Sequence, residues 1–406
     1  MMRSESAVIV AGGGPVGVIT ALALAQRGIS VRVFEAAEHV DESPRASTLH
    51  PATLEMLSAL GLLDEVVARG LMARTFQFWD RPGRRVVAEF DHAVLHDDTP
   101  CPYVVQCEQH KLAKMAIERL RALPNAEVRF SARVDGLEQF DDRVEVALAT
   151  KEGHETVAGR YLIGADGGRS AVRKALGIEF EGYTFPERFL VLTTPVDFVA
   201  EIGAGFRNYF SDPDEWANLF KVAGEDGSGL WRVVFPTLPG ETDDEVLNDA
   251  AVERRLQKFF PRPARYPVTH RNIYNVHQRV AVKFSEGRVF LAGDAAHVNN
   301  PIGGLGLNCG VHDAVDIATL LSAVIKGDMP ENALALYDER RRPMNIEYVQ
   351  QQTIANKKRL EEKDASSREA SFAHLRKTAA DPVAHRSFLM RTSLLESVRK
   401  TAPVSV

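Results

Sequence analysis

The chain has 406 residues, 45% of them hydrophobic and 26% charged, so it can bury a large core in one large or two modest domains. Its net charge of −6, from 49 basic and 55 acidic residues, gives no broad basic surface, which argues against nucleic-acid binding. Three scattered cysteines suit neither a zinc site nor a disulfide framework, and no signal-like segment or apolar run of about 18 residues occurs, so we expect a cytoplasmic protein with no metal and no membrane partner.

The first predicted element is a dinucleotide-binding βαβ unit. Residues 7–11 form an apolar run typical of a buried strand, a helix is predicted over 16–27, and a second strand over 30–35. The glycines between them have the G-x-G-x-x-G spacing, which permits a tight turn, close approach of a pyrophosphate and close helix packing. The predicted cofactor-binding positions are Gly12, Gly14, Pro15, Val16, Gly17 and Glu35.

Glu35 ends the second predicted strand, where its carboxylate can accept hydrogen bonds from ribose hydroxyls. A carboxylate there would repel a 2′-phosphate, so this site is predicted to hold FAD or NAD rather than NADP. The alternative interpretation is a glycine turn in some other βαβ unit.

Two polar residues further along are candidates for cofactor contacts. Arg45 follows the first βαβ unit among small polar residues, where a guanidinium can face phosphates or lie in solvent. Gln109 opens a helix predicted over 109–123, where its amide can reach the cofactor or simply sit at the helix start. The residues alone leave both alternatives open.

The middle of the chain returns to the same predicted sheet. Residues 126–163 alternate apolar and polar side chains, which predicts antiparallel ribbon strands before a buried strand at 161–163. That strand ends in an Asp166-Gly167 turn, and a helix opens at Ser170 and Arg173.

A third loop follows a buried strand predicted over 289–292. Gly293-Asp294 closes this strand, and a loop rich in proline and glycine precedes an apolar-periodic helix over 309–325. Glycines and a free helix start favour negative charge, whereas Asp294 would repel a phosphate but could accept hydrogen bonds from sugar-alcohol hydroxyls. The ligand of this loop should therefore carry both hydroxyl groups and an anion.

Taken together, these motifs resemble those of the single-component FAD-dependent aromatic hydroxylases with the para-hydroxybenzoate hydroxylase fold. Four signatures stand in the order of that family: the glycine turn with Glu35, Asp166-Gly167-x-x-Ser170-x-x-Arg173, Gly293-Asp294 with the loop to Asn308, and residues 336–343. The resemblance implies an α/β fold with a Rossmann-like FAD-binding domain over 1–184 and 268–343. It further implies an inserted antiparallel-sheet substrate domain over 185–267 and a helical C-terminal segment over 344–406.

The same resemblance implies a role for each matching residue. Glu35 would bind the adenosine ribose, Arg45 and Gln109 would lie along the ribityl-pyrophosphate, and Asp294 would hold the ribityl hydroxyls. Asp166 would serve both FAD and the nicotinamide, and NADH or NADPH would bind only transiently, because no second dinucleotide fingerprint occurs. A homodimer is expected from the family. The positions expected beside the flavin are Pro301, Gly304, Gly306, Leu307 and Asn308.

The implied reaction is hydroxylation of a phenol or hydroxylated heteroaromatic compound, with dioxygen activated as a flavin C4a-hydroperoxide. Pro301 would shape a water-poor pocket for this step. His297 is a candidate for the base that removes the phenol proton, with a structural role beside the flavin as the alternative.

Strands rich in aromatic residues are predicted between 185 and 267 and fit a sheet that covers the substrate. Aromatic rings with a polar tip suit a phenol, although such residues also form cores. The predicted substrate contacts are Tyr209, Asn218, Phe220 and Trp231.

The C-terminal segment mixes both charge signs over 357–364, which predicts a solvated helix face. Other functions remain possible at this stage: a flavin oxidase, epoxidase or halogenase of the same fold, or, from another class, a nicotinamide-binding redox sensor or dehydrogenase. The Trp-x-Trp-x-Ile-Pro signature of flavin halogenases is missing.

Overall fold

The computed structural model describes residues 7–225 and 227–401. The strands are β1 (Val8–Ala11), β2 (Val31–Phe34), β3 (Thr48–Leu49), β4 (Leu71–Ala73), β5 (Thr75–Asp80), β6 (Arg85–Asp91), β7 (Val104–Gln106), β8 (Ala126–Arg129), β9 (Ala132–Gln139), β10 (Val144–Thr150), β11 (Gly153–Gly159), β12 (Tyr161–Gly164), β13 (Phe180–Thr194), β14 (Arg207–Ser211), β15 (Ala217–Val222), β16 (Leu230–Pro236), β17 (His270–Ala281), β18 (Ser285–Glu286), β19 (Val289–Leu291) and β20 (His297–Val298). The helices are α1 (Pro15–Gln26), α2 (Pro51–Ala59), α3 (Leu63–Arg69), α4 (Gln109–Arg121), α5 (Ala171–Ala175), α6 (Phe198–Ile202), α7 (Asp243–Leu247), α8 (Asp249–Phe259), α9 (Gly306–Lys326), α10 (Ala335–Met344), α11 (Gln351–Leu360), α12 (Ala365–Ala380), α13 (Pro382–Thr392) and α14 (Leu395–Thr401).

A six-stranded sheet in the order β18-β19-β12-β1-β2-β8 forms the cofactor half of the fold. Its strands run parallel except for β18. Strands β1 and β12 are fully buried, as expected for a parallel sheet covered on both faces, and α1 packs against α9. Parallel strands end at one edge, so the loops after β1, β2, β12 and β19 lie side by side.

The ribbon predicted over 126–163 is present in part. Strands β9, β10 and β11 form a three-stranded antiparallel sheet, but β8 pairs in parallel with β2. Strand β8 lies at the edge of the parallel sheet and is only partly buried. A half-exposed edge strand alternates in polarity like an antiparallel one, which explains the wrong assignment.

An antiparallel-rich sheet of eight strands forms the other half, in the order β20-β17-β13-β16-β15-β14-β5-β6. Residues 185–267, the predicted extent of this domain, hold β14, β15, β16 and most of β13. Strands β5 and β6 come from much earlier in the chain, and β17 and β20 from later. The sheet is therefore assembled from four separate stretches of sequence, which no local pattern reveals.

The C-terminal segment is helical, as predicted, but it packs onto the eight-stranded sheet instead of standing in solvent. The Lys357 side chain is 9% exposed and lies 2.7 Å from Glu187 and 2.5 Å from Glu361. Leu360, Phe372 and Leu389 belong to the same apolar cluster as the inner face of the sheet. The prediction of a solvated helix face is therefore wrong at Lys357.

Apolar clusters mark the two halves. One surrounds the parallel sheet, a second lies between the eight-stranded sheet and the C-terminal helices, and a third covers the outer face of that sheet. Helix α9 contributes Cys309 to the second cluster and its later turns to the first. No helix among the described residues has the length and apolarity of a membrane span.

Candidate active site

Loops at the carboxyl edge of the parallel sheet bring the sequence motifs together. Gly12, after β1, has a φ of +108°, and a Cβ atom there would lie 2.4 Å from the carbonyl oxygen of Ala165, after β12. A Cβ atom on Gly293, after β19, would lie 2.8 Å from the side chain of Val16 in α1. These glycines therefore allow three motifs, distant in sequence, to adjoin.

The amino-terminal end of α1 provides a seat for an anion. Its N-cap is Gly14, no side chain caps it, and Pro15 lies in the first turn. A Cβ atom on Gly14 would meet nothing within 4 Å, so open space lies in front of the helix. The first N–H groups of a helix have no intrahelical partners and mark its positive end, which suits a pyrophosphate.

Glu35 lies directly after β2 and beside this turn. Its carboxylate accepts hydrogen bonds from the N–H groups of Gly13 at 2.5 Å and Ala37 at 2.8 Å. These bonds fix the orientation of the carboxylate. Each oxygen keeps a further lone pair, with which it can accept from ribose hydroxyls.

Asp294 lies on the floor of the cleft. Its side chain reaches the solvent of the cleft, but many protein atoms lie close to it. This partial desolvation raises the pKa of Asp294, an effect that His297 and Arg45 oppose. Its oxygens accept no hydrogen bond from the described part of the chain. A carboxylate in this position can accept hydrogen bonds from several hydroxyl groups of one ligand.

The turn from Pro301 to Gly304 leads into α9. The N–H of Gly304 donates to the carbonyl oxygen of Pro301 at 2.9 Å, and Gly303 and Gly304 have φ values of +110° and +68°. No side chain caps α9 at its N-cap, Leu305. The uncapped first turn, with Gly306, Leu307 and Asn308, therefore offers a second helix end to negative charge.

Asn308 holds this turn in place. Its side-chain amide donates to the carbonyl oxygens of Thr48 at 2.8 Å and Gly304 at 2.6 Å, and its oxygen accepts from the N–H of His50 at 2.8 Å. Both donors of the amide are thus used within the protein. The side chain of Asn308 positions the loop, and only its backbone is left for a cofactor.

Asp166 helps to cap α5, whose N-cap residue is Ser170. Its carboxylate accepts from the Ser170 hydroxyl at 2.5 Å and from the N–H of Ala171 at 2.7 Å. Arg173, two residues into the same helix, donates to the carbonyl oxygen of Ala295 at 2.7 Å. This motif therefore ties the end of β12 to the loop that carries Asp294.

The two uncertain polar residues lie near the cleft. Arg45 is exposed and pairs with Asp41 at 3.1 Å, and its charge acts on Asp294. Gln109 is half-buried at the start of α4, and its N–H donates to the carbonyl oxygen of Ala46 at 2.9 Å. The structure thus places both residues on one side of the cleft.

His297 is part of a buried charge network and does not face the cleft. Its Nε2 lies 2.6 Å from Asp313, which also accepts from Arg341 at 2.7 Å. Burial would lower the pKa of His297, but Asp313 and Cys309 raise it to about 10, so the ring is protonated. A buried imidazolium cannot remove a proton from a substrate. His297 does not line the cavity and is engaged with Asp313, which argues against the predicted catalytic role, and the structural alternative stays a prediction.

The network supports the cofactor loop. Asp313 accepts from the N–H of Gly293 at 3.0 Å, and Arg341 donates to the carbonyl oxygen of Cys309 at 3.3 Å. Both the loop that carries Asp294 and the start of α9 are thus anchored to one carboxylate–guanidinium pair.

A partly enclosed cavity lies beside the Pro301–Gly304 turn. Aromatic and aliphatic side chains line it together with several polar ones, a mixture typical of small-molecule sites. Two strands of the eight-stranded sheet form one side and the C-terminal helices another. The lining residues are His50, Phe76, Phe78, His92, Arg207, Tyr209, Ile302, Gly303, Gln352, Asn356, Leu360, Phe388 and Thr392.

His50 is a cavity residue that the sequence did not reveal. Its Nε2 lies 2.9 Å from the carbonyl oxygen of Gly303, so Nε2 carries the proton and Nδ1 is an acceptor. Nδ1 is buried and has no partner. Burial, together with the charge of Arg207, holds the pKa of His50 well below its usual value. A neutral ring acceptor therefore borders the cavity.

The four predicted substrate contacts divide by sheet face. Tyr209 lines the cavity, with Asn218 opposite it on β15 and the ring of Phe220 5.8 Å away, edge-on. Trp231 pairs with Lys221 and therefore points to the opposite face, where it packs in the outer cluster. Trp231 cannot touch a ligand in this cavity, so its prediction is wrong.

The cleft residues fit FAD. The open space at Gly14 with the helix end suits the pyrophosphate, Glu35 the ribose, and the unpartnered Asp294 the ribityl chain. The uncapped start of α9 suits the flavin edge that becomes negative on reduction.

Comparison with known proteins gives consistent matches. The family described as FAD binding domain matches residues 5–352. The chain is 38% identical over 405 residues to the para-nitrophenol 4-monooxygenase of Pseudomonas sp. strain WBC-3, and this match covers 98% of each chain. It is 37% identical over 363 residues to the 6-hydroxy-3-succinoylpyridine 3-monooxygenase of Pseudomonas putida strain S16, which covers 88% of this chain and 90% of the relative.

Solved structures match over similar lengths. The p-nitrophenol 4-monooxygenase of Pseudomonas putida DLL-E4 superimposes with a TM-score of 0.91 at 34% identity, with all of both chains covered. Aklavinone-11 hydroxylase, solved with FAD and aklavinone, gives a TM-score of 0.78 at 28% identity over 89% of this chain and 70% of that one.

Proposed function

The chain belongs to the FAD binding domain family, and on that premise we propose that it hydroxylates a single-ring phenol or hydroxypyridine. It is an FAD-dependent aromatic monooxygenase that consumes NADH or NADPH, as its motifs predict. The proposal concerns the substrate. Its chemical class is taken from the names of the two relatives that match nearly the whole chain.

The observation that carries this proposal is the cavity beside the Pro301–Gly304 turn. Aromatic rings of Phe76, Phe78 and Tyr209 form part of its walls, and His50, Arg207 and several uncharged side chains supply polar atoms. Apolar walls with few polar groups are typical of sites for small aromatic ligands.

Bound FAD would supply the redox chemistry, in which a hydride from NADH or NADPH provides the electrons, one atom of dioxygen goes to the ring and the other leaves as water. The protein positions the two reactants. Glu35 and Asp294 hold the two sugar chains, and the turn ending at Gly304 brings the cavity to the start of α9. Pro301 lies at the turn between the cleft and the cavity, and the C-terminal helices exclude water from the cavity.

His50 has the geometry to accept a hydrogen bond from the substrate. Its Nδ1 is unpaired and its Nε2 is fixed on Gly303, so the ring orientation is set before a ligand enters. A neutral acceptor beside a phenol hydroxyl favours loss of the phenol proton as the ring is attacked. Arg207 lies near enough to stabilise the resulting negative charge.

The test is NADH or NADPH oxidation by the purified yellow protein in the presence of 4-nitrophenol and of 6-hydroxynicotinate. We expect faster cofactor oxidation and a product that carries one oxygen atom from ¹⁸O₂; if that atom is placed on the carbon that bears the nitro group of 4-nitrophenol, nitrite is released. Stimulated oxidation that yields only hydrogen peroxide would identify an oxidase and refute the proposal. A homodimer and a cytoplasmic location remain proposals from the family, to be tested by sedimentation and by cell fractionation.

A further inference from the structure

Gln278 is a buried amide on β17 that holds the chain where the Pro301–Gly304 turn begins. Strand β20 ends at Val298, which pairs with Arg279 of β17. Just beyond this end, the side-chain oxygen of Gln278 accepts hydrogen bonds from the backbone N–H of Asn300 at 3.0 Å and from its side-chain amide at 3.2 Å. The side chain of Gln278 therefore continues the attachment at the point where the chain leaves the sheet.

The hydrogen bonds continue from Asn300 into the turn itself. Its side-chain oxygen accepts from the N–H of Ile302 at 3.2 Å, and the carbonyl oxygen of Ile302 accepts from the side-chain amide of Asn356 on α11 at 3.3 Å. Asn300 and Ile302 are both buried, so solvent does not readily replace these bonds. Ile302 also lines the cavity, which means that the position of Asn300 affects the cavity wall.

The amide nitrogen of Gln278 ties the same point to the C-terminal helices. It donates to the hydroxyl of Thr353 at 3.1 Å and to the side-chain oxygen of Gln350. Gln350 donates in turn to the carbonyl oxygen of Val298 at 3.1 Å. A π-helix over Asn345–Gln350 joins α10 to α11, and π-helical turns are rare and frequent at functional sites. One side chain thus connects the sheet, the turn and the start of α11.

Both polar atoms of Gln278 have partners, although the residue is only 3% exposed. A fully bonded polar network in a buried site favours one arrangement, because any other arrangement leaves desolvated groups unpaired. Gln278 is not among the residues that line the cavity, so its effect on a reaction there would pass through the turn. The turn separates the cavity from the cofactor cleft, and group transfer needs the reacting atoms to lie about 3–3.5 Å apart.

We propose that Gln278 is a positioning residue for oxygen transfer: it fixes the turn through Asn300 and thereby sets how much of the oxidised NADH or NADPH yields oxygenated product. This inference rests on the proposed function. In the coupled reaction, the hydride, a proton and dioxygen leave one oxygen atom on the ring compound and the other in water. When the turn is displaced, the same hydride, proton and dioxygen leave as hydrogen peroxide, and the ring compound is unchanged.

The first measurement follows the turn directly, by hydrogen–deuterium exchange and mass spectrometry of the FAD-loaded enzyme. The variant is Gln278→Leu, which keeps a similar volume and removes both polar atoms. We expect peptides over 298–304 to exchange about 10- to 100-fold faster in Gln278→Leu than in the wild type, because two hydrogen bonds to Asn300 are lost. Peptides from β1 and β12 should exchange at an unchanged rate.

The second measurement is the amount of ring compound consumed per NADH or NADPH oxidised, with 4-nitrophenol and with 6-hydroxynicotinate. In Gln278→Leu this ratio should fall at least about 3-fold relative to the wild type, and hydrogen peroxide should rise by the corresponding amount. The Kd of the ring compound, measured from the change in flavin absorbance, should stay within about 3-fold, because the side chain of Gln278 does not line the cavity.

Thr353→Val is the matched control. Thr353 is fully buried and accepts from the same amide nitrogen of Gln278, but its hydroxyl donates within the helix, to the carbonyl oxygen of Val349 at 2.8 Å. Gln350 remains as an acceptor for Gln278, and both bonds to Asn300 are kept. We expect the exchange of 298–304 and the consumption ratio to remain within about 2-fold of the wild type. A loss as large as that in Gln278→Leu would overturn the inference.

Three further results would also overturn it. One is exchange of the wild-type turn as fast as in an unstructured peptide, which needs no variant and stays decisive if Gln278→Leu does not fold. Another is an unchanged consumption ratio in folded Gln278→Leu. The third is equal acceleration of exchange in the turn and in β1 and β12, which would show a general loss of stability. Failure of the proposed function looks different: neither ring compound stimulates NADH or NADPH oxidation by the wild type.

Discussion

Replacing Asp313 by Asn tests the buried charge network beneath the cofactor loop. The change leaves Arg341 and His297 without their shared carboxylate, and removal of one partner from a buried ion pair costs roughly 3–5 kcal/mol. An unfolding entropy of about 2.1 cal/mol/K per residue gives roughly 0.85 kcal/mol/K for 406 residues. The melting temperature should therefore fall by about 4–6 °C.

The fall in melting temperature should depend on pH, and the pKa values of His297 and Asp313 give the direction of that dependence. The folded-state pKa of His297, about 10, lies above its usual 6.5, so its stabilisation is complete below pH 6.5 and lost as the pH rises towards 10. The pKa of Asp313, about 2, lies below its usual 3.8, so its stabilisation is complete above pH 3.8 and lost as the pH falls through 2. The difference between wild type and variant should be largest between pH 3.8 and 6.5.

The assay is thermal unfolding followed by tryptophan fluorescence, at several pH values and with FAD in excess. Asp316→Asn is the matched control, because Asp316 lies one turn further along α9 and, within the described ranges, forms an ion pair only with the partly exposed Arg340 at 3.6 Å. That variant should change the melting temperature by less than about 1 °C. Equal melting temperatures for the wild type and Asp313→Asn at pH 6 would refute the reasoning.

Three further predictions concern the cleft and the cavity. Gly12→Ala places a Cβ atom 2.4 Å from a carbonyl oxygen and should yield little folded protein. The Cβ atom of Gly14→Ala meets no atom, so this variant should keep the melting temperature of the apoprotein. It should weaken FAD binding at least about 10-fold, measured by fluorescence quenching. Asp294→Ala should weaken FAD binding by about 10- to 100-fold without destabilising the apoprotein, because its oxygens accept no hydrogen bond from the residues that the structure describes; a drop in the melting temperature of the apoprotein would contradict this. Phe78→Ala should raise the KM for a single-ring phenol several-fold, and Trp231→Phe should leave this KM unchanged. A raised KM for Trp231→Phe with an unchanged KM for Phe78→Ala would show that the substrate binds on the opposite face of the sheet.

The cofactor half of the fold is predictable because its signals are local. A short apolar strand, a glycine turn and a helix lie within 20 residues, and a Cβ atom on Gly12 or Gly17 would lie 2.4 or 2.0 Å from a carbonyl oxygen. The roles of the side chains were harder to foresee. Asp166 and Asn308 serve to cap a helix and to hold a loop, which only the three-dimensional contacts disclose.

The substrate cavity was largely beyond the sequence. Its walls come from β5, β14, the residue before α2 and the C-terminal helices, and no periodicity relates stretches so far apart. One signal was available for Arg207: it lies two residues from Tyr209 on one strand, so both share a face. Trp231 could not be excluded in the same way, because the register between strands is not encoded in either strand alone.

The C-terminal helices form one side of the cavity, and α11 also contacts the Pro301–Gly304 turn, where the side-chain amide of Asn356 donates to the carbonyl oxygen of Ile302 at 3.3 Å. Leu360, Phe388 and Thr392 line the cavity from positions beyond residue 352, where the family match ends. Mutations at these three positions can alter which aromatic ring binds in the cavity while the residues of the FAD cleft stay unchanged. Substrate specificity can therefore change without a change in the redox chemistry, and mutant libraries confined to the last fifty residues are a direct way to search for new specificities.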